Sequence, residues 1–378
     1  MRTGHIIALG DLAFPCAEAM DDLAKNVESV KAIWEGWQVA LGNLEGVLLN
    51  GGIPVARKCA LGFPGGCAKQ IREAGILMVT LANNHVMDYG TGGLMATLEA
   101  LDQAKVQHLG AGRNLAEALA PLLLEADGIR LALLGRSAVV VSSPCYASGE
   151  TPGVAPFDPE ETKQAIKACR KEADIVALAL HWGVEHYAYP TPEQRKEAKE
   201  LIEAGADVIL GHHPHVLQGV ERIGRGLVCY SLGNFLFNDF KWSFVDKEGE
   251  VQERVVRLSE ANRKGGILQV ALSEDGVDSY KFIPTRIDTD GTVRIEDTEE
   301  RQREFQRLCS RLHWPWYSLF WRLYSLRMEW KLRLKPMTIG RLKWANLRKI
   351  RPKHLRELYE GIRRSGKITS EKSTNPYE

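Results

Sequence analysis

Several apolar runs of this chain end in side chains that can bind a metal ion. Asp11 and Glu45 each close one such run, and His181 closes a third. His213 and His215 come after a fourth run, with a single proline between them. Carboxylate oxygens and imidazole nitrogens are donors that divalent cations take in proteins. The pattern therefore predicts a metal centre built from strand ends.

The segment after a further apolar run adds amide and imidazole groups. Asn83, Asn84 and His85 stand in succession there, and Asp88 comes three residues later. Asp88 could orient His85 by accepting its second ring proton. A turn with Asn in the left-handed region is the alternative interpretation, and it can coexist with metal binding.

Taken singly, most of these residues also have an ordinary structural interpretation. An Asp after a Gly, as at Asp11, is typical of a turn or a helix cap, and Glu45 could be a capping or solvated residue. A lone strand-end His, as at His181, is more often simply hydrogen-bonded. The pair of His213 and His215 is the strongest indication, because residues two apart in an extended chain point the same way.

Two more polar residues are candidate neighbours of this centre. Glu185 follows His181 by four residues, and Asn234 stands between Gly233 and Phe235. Each could contact substrate or hydrogen-bond to a metal ligand. Each could equally be a turn former.

The elements that would position these groups alternate along the chain. Strands are predicted at 6–9, 39–44, 78–82, 122–124, 131–134, 175–180, 208–210 and 228–231. Helices are predicted at 17–34, 68–74, 92–104, 159–172 and 192–204. Helices between strands are typical of a layered α/β fold, whose sites lie outside the carboxyl ends of the strands. Five of these strands are therefore expected to deliver ligands to one edge of a sheet.

The pattern changes in the last third of the chain. Residues 235–265 are polar and charged, and we interpret them as a loop insertion. Residues 267–272 and 280–284 predict a closing hairpin. Further helices are predicted at 299–312, 315–334 and 352–364.

Six short motifs occur in order and together resemble a known family. They are Gly10-Asp11, Asn43-Leu44-Glu45-Gly46, Asn83 to Gly90, His181 to Glu185, His213 to Gln218 and Ser231 to Phe235. In this order they resemble the CapA-type poly-γ-glutamate (capsule) biosynthesis family, which is similar to the calcineurin-like metallophosphoesterases. The resemblance covers about residues 4–285. It implies an α/β fold of the four-layer αββα sandwich type, with a basic helical C-terminal extension.

The resemblance also implies roles for individual residues. The implied metal ligands are Asp11, Glu45 as the bridging carboxylate, Asn84, His181, His213 and His215. His85 would protonate the leaving oxygen or stabilise the transition state, with Asp88 beside it, whereas His212 would not be a ligand. The phosphoesterase first motif is Asp-x-His, but this chain has Ala13 at the third position. One of two metal sites therefore has one protein ligand fewer.

We expect one or two divalent cations, and the mixed donors suit manganese, iron, zinc or magnesium. Two cations would turn a water between them into a nucleophile for a phosphoester near neutral pH. One cation could instead polarise a carbonyl for amide chemistry on poly-γ-glutamate. We therefore expect a metal-dependent hydrolase in capsule biosynthesis that acts on a phosphoester or an anionic polymer. A non-catalytic polymer-binding or envelope-assembly protein is the alternative.

The charge distribution divides the chain. Residues 301–378 hold 20 Lys and Arg against 6 Asp and Glu, although the whole chain has a formal net charge of +1. We predict a CapA-type, metallophosphoesterase-like domain over 1–290, a basic, aromatic-rich helical extension over 291–366 and a disordered tail over 367–378. The seven cysteines have no CxxC spacing, which favours a reducing compartment. Without a signal peptide or an apolar run long enough to span a bilayer, a cytoplasmic location is expected.

Residues 311–364 mix Trp, Leu and Tyr with Arg and Lys. They could form a helical extension that packs its apolar side chains on the body while its basic face is solvated. They could instead lie on anionic lipid, as a peripheral contact at the inner face of the membrane. Nucleic acid has less support as a partner, because no recognised binding motif is present.

Overall fold

The computed structural model describes residues 4–14, 23–35, 39–56, 58–139, 145–245 and 249–334. The strands are β1 (Gly4–Ala13), β2 (Ala40–Leu44), β3 (Val47–Leu48), β4 (Gly62–Phe63), β5 (Met78–Thr80), β6 (Gln107–Leu109), β7 (Ala111–Gly112), β8 (Leu122–Ala126), β9 (Ile129–Ser137), β10 (Gly153–Val154), β11 (Ile175–His181), β12 (Val208–His212), β13 (Val220–Ile223), β14 (Gly226–Cys229), β15 (Asn234–Phe237), β16 (Phe240–Val245), β17 (Val251–Val256), β18 (Lys264–Ser273), β19 (Gly276–Ile287) and β20 (Val293–Ile295). The helices are α1 (Leu23–Lys31), α2 (Cys67–Glu73), α3 (Gly90–Ala104), α4 (Leu115–Leu119), α5 (Pro159–Cys169), α6 (Pro192–Glu203), α7 (Glu299–Leu312) and α8 (Tyr317–Glu329), and a π-helical turn follows over Trp330–Leu334.

Two large sheets form the centre of the molecule. The first has the order β20-β19-β18-β1-β2-β5-β6, and β15 also pairs with β1. The second has the order β13-β14-β12-β11-β9-β8. Strands β15, β1, β2, β5 and β6 run parallel, as do β9, β11, β12 and β14. The carboxyl ends of the parallel strands therefore lie along one edge of each sheet.

The two sheets pack against each other between layers of helices. On β1, Ile6 and Ala8 join the core shared with β9, β11 and β12, whereas Ile7 and Leu9 join a core shared with α1, α2 and α3. This division follows from the alternation of side chains along a strand. Helices α5 and α6 cover the second sheet, with Leu201 in its core. The four-layer αββα sandwich that the resemblance implies is confirmed.

The five ligand-bearing strands belong to two sheets, so the prediction of one sheet edge is wrong. Strands β1, β2 and β5 lie in the first sheet, and β11 and β12 lie in the second. An apolar run looks the same in either sheet, because both faces of each inner strand are buried. The runs therefore predict strands without indicating which sheet each strand enters.

The loop insertion predicted for residues 235–265 is also wrong. Strands β15, β16 and β17 occupy much of it, and β16 pairs with β17 in antiparallel register from Phe240↔Val256 to Val245↔Val251. Val251 and Val255 are more than half exposed. Strand β17 carries Gln252, Glu253 and Arg254 in succession, so it lacks the alternation that predicts a strand. Strand β16 does alternate apolar and polar residues from Phe240 to Phe244, and the interpretation as a loop overlooked that signal.

Helices α7 and α8 add their inner faces to the core of the second sheet. Phe305 and Leu312 of α7 are buried there, as are Tyr317 and Trp321 of α8. Helix α7 has the predicted bounds, and α8 lies within the predicted range. No helix of the described ranges is long and apolar enough to cross a membrane.

Some predictions fall on residues that lie outside the described ranges. They are the first part of the helix predicted at 17–34, the helix at 352–364 and the tail over 367–378. The proposed boundaries at 290 and 366 stay predictions.

Candidate metal centre

The predicted metal ligands meet where strand ends of the two sheets converge. They are Asp11 in β1, Glu45 directly after β2, Asn84 after β5, His181 at the end of β11, and His213 and His215 after β12. Between ligand atoms, each of the six lies within 4.8 Å of at least one other member. Because the two sheets bring these sequence-distant segments together, the six side chains form one cluster.

Glu45 stands at the middle of this cluster and is fully buried. Its Oε1 atom lies 3.5 Å from Nε2 of His215, 3.8 Å from Nε2 of His181 and 3.9 Å from Nε2 of His85. Within the described ranges this oxygen has no hydrogen-bond partner. With metal–ligand bonds of about 2.0–2.2 Å, ligand atoms around one cation lie about 3–4 Å apart. The spacing therefore fits a cation better than it fits direct hydrogen bonds.

His213 has a fully buried ring whose two nitrogens both lack a hydrogen-bond partner among the described residues. Its ring centroid lies 4.8 Å from that of His181 and 6.0 Å from that of His215. Ligand atoms of Glu45, His213 and His215 all lie within 4.8 Å of one another. Buried polar atoms are normally paired, so this imidazole fits a metal ligand.

The backbone around this pair differs from the extended geometry that the sequence predicted. His213 has φ +97° and His215 has φ +54°, and the chain bends sharply directly after β12. Positive φ is uncommon for residues other than glycine, and it concentrates at functional sites. The bend, rather than strand periodicity, brings the two rings to one site.

Asp11 is held by neighbours on several elements. Its Oδ1 atom accepts hydrogen bonds from Nδ2 of Asn43 at 2.9 Å and Nδ1 of His212 at 3.1 Å, and its Oδ2 atom lies 3.2 Å from Nδ1 of His215. Burial alone raises the pKa of Asp11, but its bonds to both imidazoles outweigh burial and hold this pKa well below its usual range. Asp11 is therefore ionised. His212 contacts the carboxylate of Asp11, so its ring supports a ligand.

The imidazoles of the cluster differ in protonation. Burial holds the pKa of His181 well below its usual range and lowers the pKa of His213 to about 4. Burial also lowers the pKa of His215, but Glu45 and Asp11 outweigh it and raise this pKa to about 10. Burial raises the pKa of Glu45 well above its usual range. His181 and His213 are therefore neutral donors, whereas Glu45 and His215 together retain a proton at neutral pH.

Two asparagines to which the sequence analysis gave no role of this kind, Asn43 and Asn83, position the ligands. Asn43 donates from Nδ2 to Asp11 and lies 3.3 Å from Oε2 of Glu45. Asn83 donates to Oδ1 of Asn43 at 3.1 Å, and its own Oδ1 atom accepts from the backbone N–H of His85 at 2.9 Å. An Asn inside an otherwise apolar strand, as at Asn43, is the signal that could have revealed this network.

His85 is fixed by a buried ion pair. Its Nδ1 atom donates to Oδ2 of Asp88 at 2.7 Å, as the sequence suggested. Lys58, which the sequence analysis missed, forms an ion pair with Asp88 and donates to the backbone carbonyl of Asn84. Burial raises the pKa of Asp88, but Lys58 and His85 outweigh burial and lower it. With its Nδ1 proton held by Asp88, His85 presents Nε2 towards Glu45.

The two predicted neighbours occupy different places. Asn234 begins β15, and its Oδ1 atom accepts from Nδ1 of His215 at 3.0 Å. Half-buried Glu185 lies in the loop after β11. Burial raises the pKa of Glu185, but the nearby His213 and His215 outweigh burial and lower it. Glu185 thus adds a negative charge beside the imidazoles. Ala13 is buried at the end of β1 and supplies no ligand.

The chain is similar to capsule synthesis proteins. The family model described as bacterial capsule synthesis protein PGA_cap matches residues 5–239. The capsule biosynthesis protein CapA of Bacillus anthracis is 30% identical over 244 residues, which cover 64% of this chain and 55% of that protein. The PGA biosynthesis protein CapA of Bacillus subtilis (strain 168) is 38% identical over 221 residues, which cover 58% and 53%. The chain spans about half the length of these curated relatives.

Two solved structures are also similar. One is the NAD nucleotidase of Haemophilus influenzae, with a TM-score of 0.42 and 15% identity, covering 80% of this chain and 62% of that chain. The other is a putative 5'-nucleotidase from Staphylococcus aureus, with a TM-score of 0.45 and 15% identity, covering 81% and 58%.

Proposed function

Because this chain belongs to the bacterial capsule synthesis family PGA_cap, we propose that it is a metal-dependent hydrolase whose reaction serves the synthesis of a capsular polymer such as poly-γ-glutamate. The main support is the buried ring of His213, both of whose nitrogens lack a partner among the described residues. Oε1 of Glu45 likewise has no hydrogen-bond partner among the described residues, and it lies 3.5 to 3.9 Å from the Nε2 atoms of three imidazoles. Leaving these atoms without a partner would cost about 1–3 kcal/mol each, and a bound cation would remove that cost.

The donor set defines where a divalent cation would bind. It would be held by Asp11, Glu45, Asn84, His181, His213 and His215. When bound there, it would supply Lewis-acid chemistry to an oxygen of the substrate and activate water. Asp11 and Glu185 are ionised and would repel an anionic substrate, so the proposed reaction needs the positive charge of the cation.

His85 is the proton donor in this proposal. Asp88 accepts the Nδ1 proton, and the side chain of His85 is 12% exposed. Its Nε2 atom faces the ligand cluster, so it can deliver a proton to the oxygen or nitrogen that leaves. Lys58 keeps Asp88 ionised and thereby holds the ring in this orientation.

Amide chemistry on a glutamyl polymer is the second candidate reaction. Ala13 is buried at the position where a phosphoesterase has its first-motif His. Because Ala13 supplies no ligand, the centre favours binding of a single cation. A single Lewis acid suits the polarisation of an amide carbonyl.

We also propose a cytoplasmic location. The support is that Cys59, Cys67, Cys145, Cys169, Cys229 and Cys309 are free thiols. Free thiols persist in reducing compartments.

The experiment is metal content per chain by elemental mass spectrometry, on protein purified without chelator or nickel resin. We expect about one or two equivalents in the native chain. His213→Ala should lose at least half of them and the associated hydrolysis. His108→Ala is the matched control, because this histidine lies outside the cluster and pairs with Asp102. Its metal content should equal that of the native chain.

Substrate class follows from parallel assays with p-nitrophenyl phosphate, bis(p-nitrophenyl) phosphate and γ-glutamyl-p-nitroanilide. Metal-dependent cleavage of either phosphoester supports the first reaction, and cleavage of the anilide alone supports the second. Unchanged metal content in His213→Ala would overturn the site. A native chain that binds no cation after reconstitution would overturn the hydrolase and favour a polymer-binding protein.

A further inference from the structure

Helix α8, the N-cap residue before it and the π-helical turn after it expose a line of large apolar side chains. We name this line the α8 stripe. Its members are Trp316 (75% exposed), Leu319 (56%), Leu323 (62%), Leu326 (42%) and Trp330 (55%). Spacings of three and four residues place them on one face of a helix. In the described part of the chain nothing covers that face, so its apolar area is open to a partner.

The opposite face of α8 already holds the helix on the body. Tyr317 donates from its hydroxyl to the backbone carbonyl of Pro190 at 2.7 Å, and the Tyr324 hydroxyl accepts from the backbone N–H of Ala188 at 2.7 Å. Trp321 is buried in the core. The α8 stripe is therefore not needed for packing and is presented by an anchored helix.

Exposed cations flank the stripe on both sides. At 3.6 residues per turn, Arg322 lies along one border, and Arg327 and Lys331 lie along the other. All three are exposed. The acidic residue of this helix, Glu329, accepts a hydrogen bond from the hydroxyl of Tyr187 on the packed side. The stripe thus combines apolar side chains with a positive border.

This charge pattern decides between candidate partners. A second copy would bring the same cations to both sides of a shared seam, where like charges repel. Residues 335–378 of the chain hold 12 Lys and Arg against 4 Asp and Glu, so they too match the stripe poorly. A nucleic acid would bind the cations but would leave the leucines exposed. An anionic lipid surface satisfies both features.

We propose that the α8 stripe docks on an anionic lipid bilayer surface. The helix lies in the plane of the interface, with Leu319, Leu323 and Leu326 in the acyl boundary. Trp316 and Trp330 lie at headgroup depth near the two ends, where aromatic rings are favoured. Arg322, Arg327 and Lys331 contact the lipid phosphates.

The test is co-sedimentation of the full chain with vesicles of equimolar phosphatidylglycerol and phosphatidylcholine. Leu323→Glu places a negative charge on the stripe, and binding should weaken about tenfold or more. Leu323→Asn, which removes only the apolar group, should weaken binding by a smaller factor. The matched control is Gln306→Glu, which adds the same charge at an exposed position of α7. Its binding should stay within about twofold of the native chain.

Each other outcome overturns the proposal. The native chain could fail to bind, or bind phosphatidylcholine alone equally well. Equal loss in Leu323→Glu and Gln306→Glu would indicate a charge effect without insertion. Self-association that Leu323→Glu abolishes in lipid-free sedimentation velocity would identify a second copy as the partner. Metal content should be unchanged in these variants, so this test is independent of the hydrolase proposal.

Discussion

His213 combines two features that oppose folding. Its φ of +97° costs about 1–3 kcal/mol for a residue with a side chain. Each of its buried ring nitrogens, which has no hydrogen-bond partner in the described ranges, adds a similar cost. Both costs fall on one residue beside Glu45 and His181. A histidine held in this unfavourable conformation, with unpartnered nitrogens, fits a ligand-binding site. The neighbouring carboxylate and imidazole donors suit a cation.

The apo centre should release a proton when it binds metal. Glu45 and Asp11 raise the pKa of His215 to about 10, so His215 and Glu45 retain a proton at neutral pH. A cation binds neutral imidazole and ionised carboxylate, so that proton must leave. Isothermal titration with manganese in two buffers of different ionisation enthalpy should give different observed heats, and the difference should correspond to at least about one proton.

The same linkage predicts that metal affinity rises with pH. Below the raised pKa of His215, each pH unit should change the association constant about tenfold per released proton. Competition with a chelator between pH 6 and pH 8 measures this slope. A slope near zero, or equal heats in the two buffers, would show that the centre carries no proton to displace.

Lys58 is the residue with the largest predicted effect on stability. It is buried against Asp88, and Lys58→Met would leave that carboxylate buried with one charged partner fewer. We expect a loss of about 3 kcal/mol in the free energy of unfolding, measured with urea. The double variant Lys58→Met/Asp88→Asn should recover part of the loss, because it removes both charges.

Lys69→Met provides the control for this variant. Lys69 is exposed on α2 and pairs with Glu73 at 3.6 Å. Its loss should change stability by less than about 0.5 kcal/mol. If Lys58→Met proved as stable as Lys69→Met, the ion pair with Asp88 would not be a stabilising contact.

The sequence predicted residues at strand ends better than residues that act through others. Asp11, Glu45 and His181 follow apolar runs, so their types and positions were visible. Lys58 lies in an irregular segment with no periodicity, and only the three-dimensional structure brings it to Asp88. Neighbours of this kind depend on how segments fold together, which no local pattern records.

Strand β1 and the turn before β15 approach each other too closely for a side chain to fit between them. A Cβ atom on Gly10 would lie 2.0 Å from the backbone carbonyl oxygen of Gly233. That carbonyl accepts the N–H of Asp11 at 2.9 Å. A backbone atom cannot rotate away as a side chain can, so the strand and the turn would have to separate. Asp11 and Asn234 would move with them.

Gly10→Ala should therefore destabilise the fold by about 2 kcal/mol or more and reduce the metal content. Gly92→Ala is the matched control, since a Cβ there meets nothing within 4 Å on the exposed side of α3. This control should be neutral or more stable by about 0.5–1 kcal/mol. Urea unfolding and metal analysis of both variants measure the contrast. Equal stability of the two would mean that β1 and the turn tolerate separation.

Helices and strands were predicted correctly where burial of one face makes apolar residues recur at a regular spacing. Helix α7 has the predicted bounds because its apolar residues recur at helical spacing against the core. The ribbon of β16 and β17 was missed because β17 has three polar residues in succession, although β16 alternates apolar and polar residues. The bend at His213 was missed because a positive φ in a histidine has no sequence signature.

The candidate metal centre exists only when both sheets are in place. Asp11 and Glu45 come from the first sheet, and His181 and His213 come from the second. Neither sheet alone offers a complete donor set. The sequence indicated the candidate ligands and, through the resemblance, the layers. It could not indicate the distances between the sheets, because these depend on how side chains of both sheets fill the shared core.

The order of the ligands along the chain has a consequence during synthesis. The first carboxylate, Asp11, leaves the ribosome long before the last imidazole, His215. A growing polypeptide therefore exposes the acidic groups long before all the imidazoles that would surround a cation have been synthesised. Binding of the proposed cation would therefore be a late event in biogenesis, and the ion would be drawn from the pool present when the second sheet closes over the first.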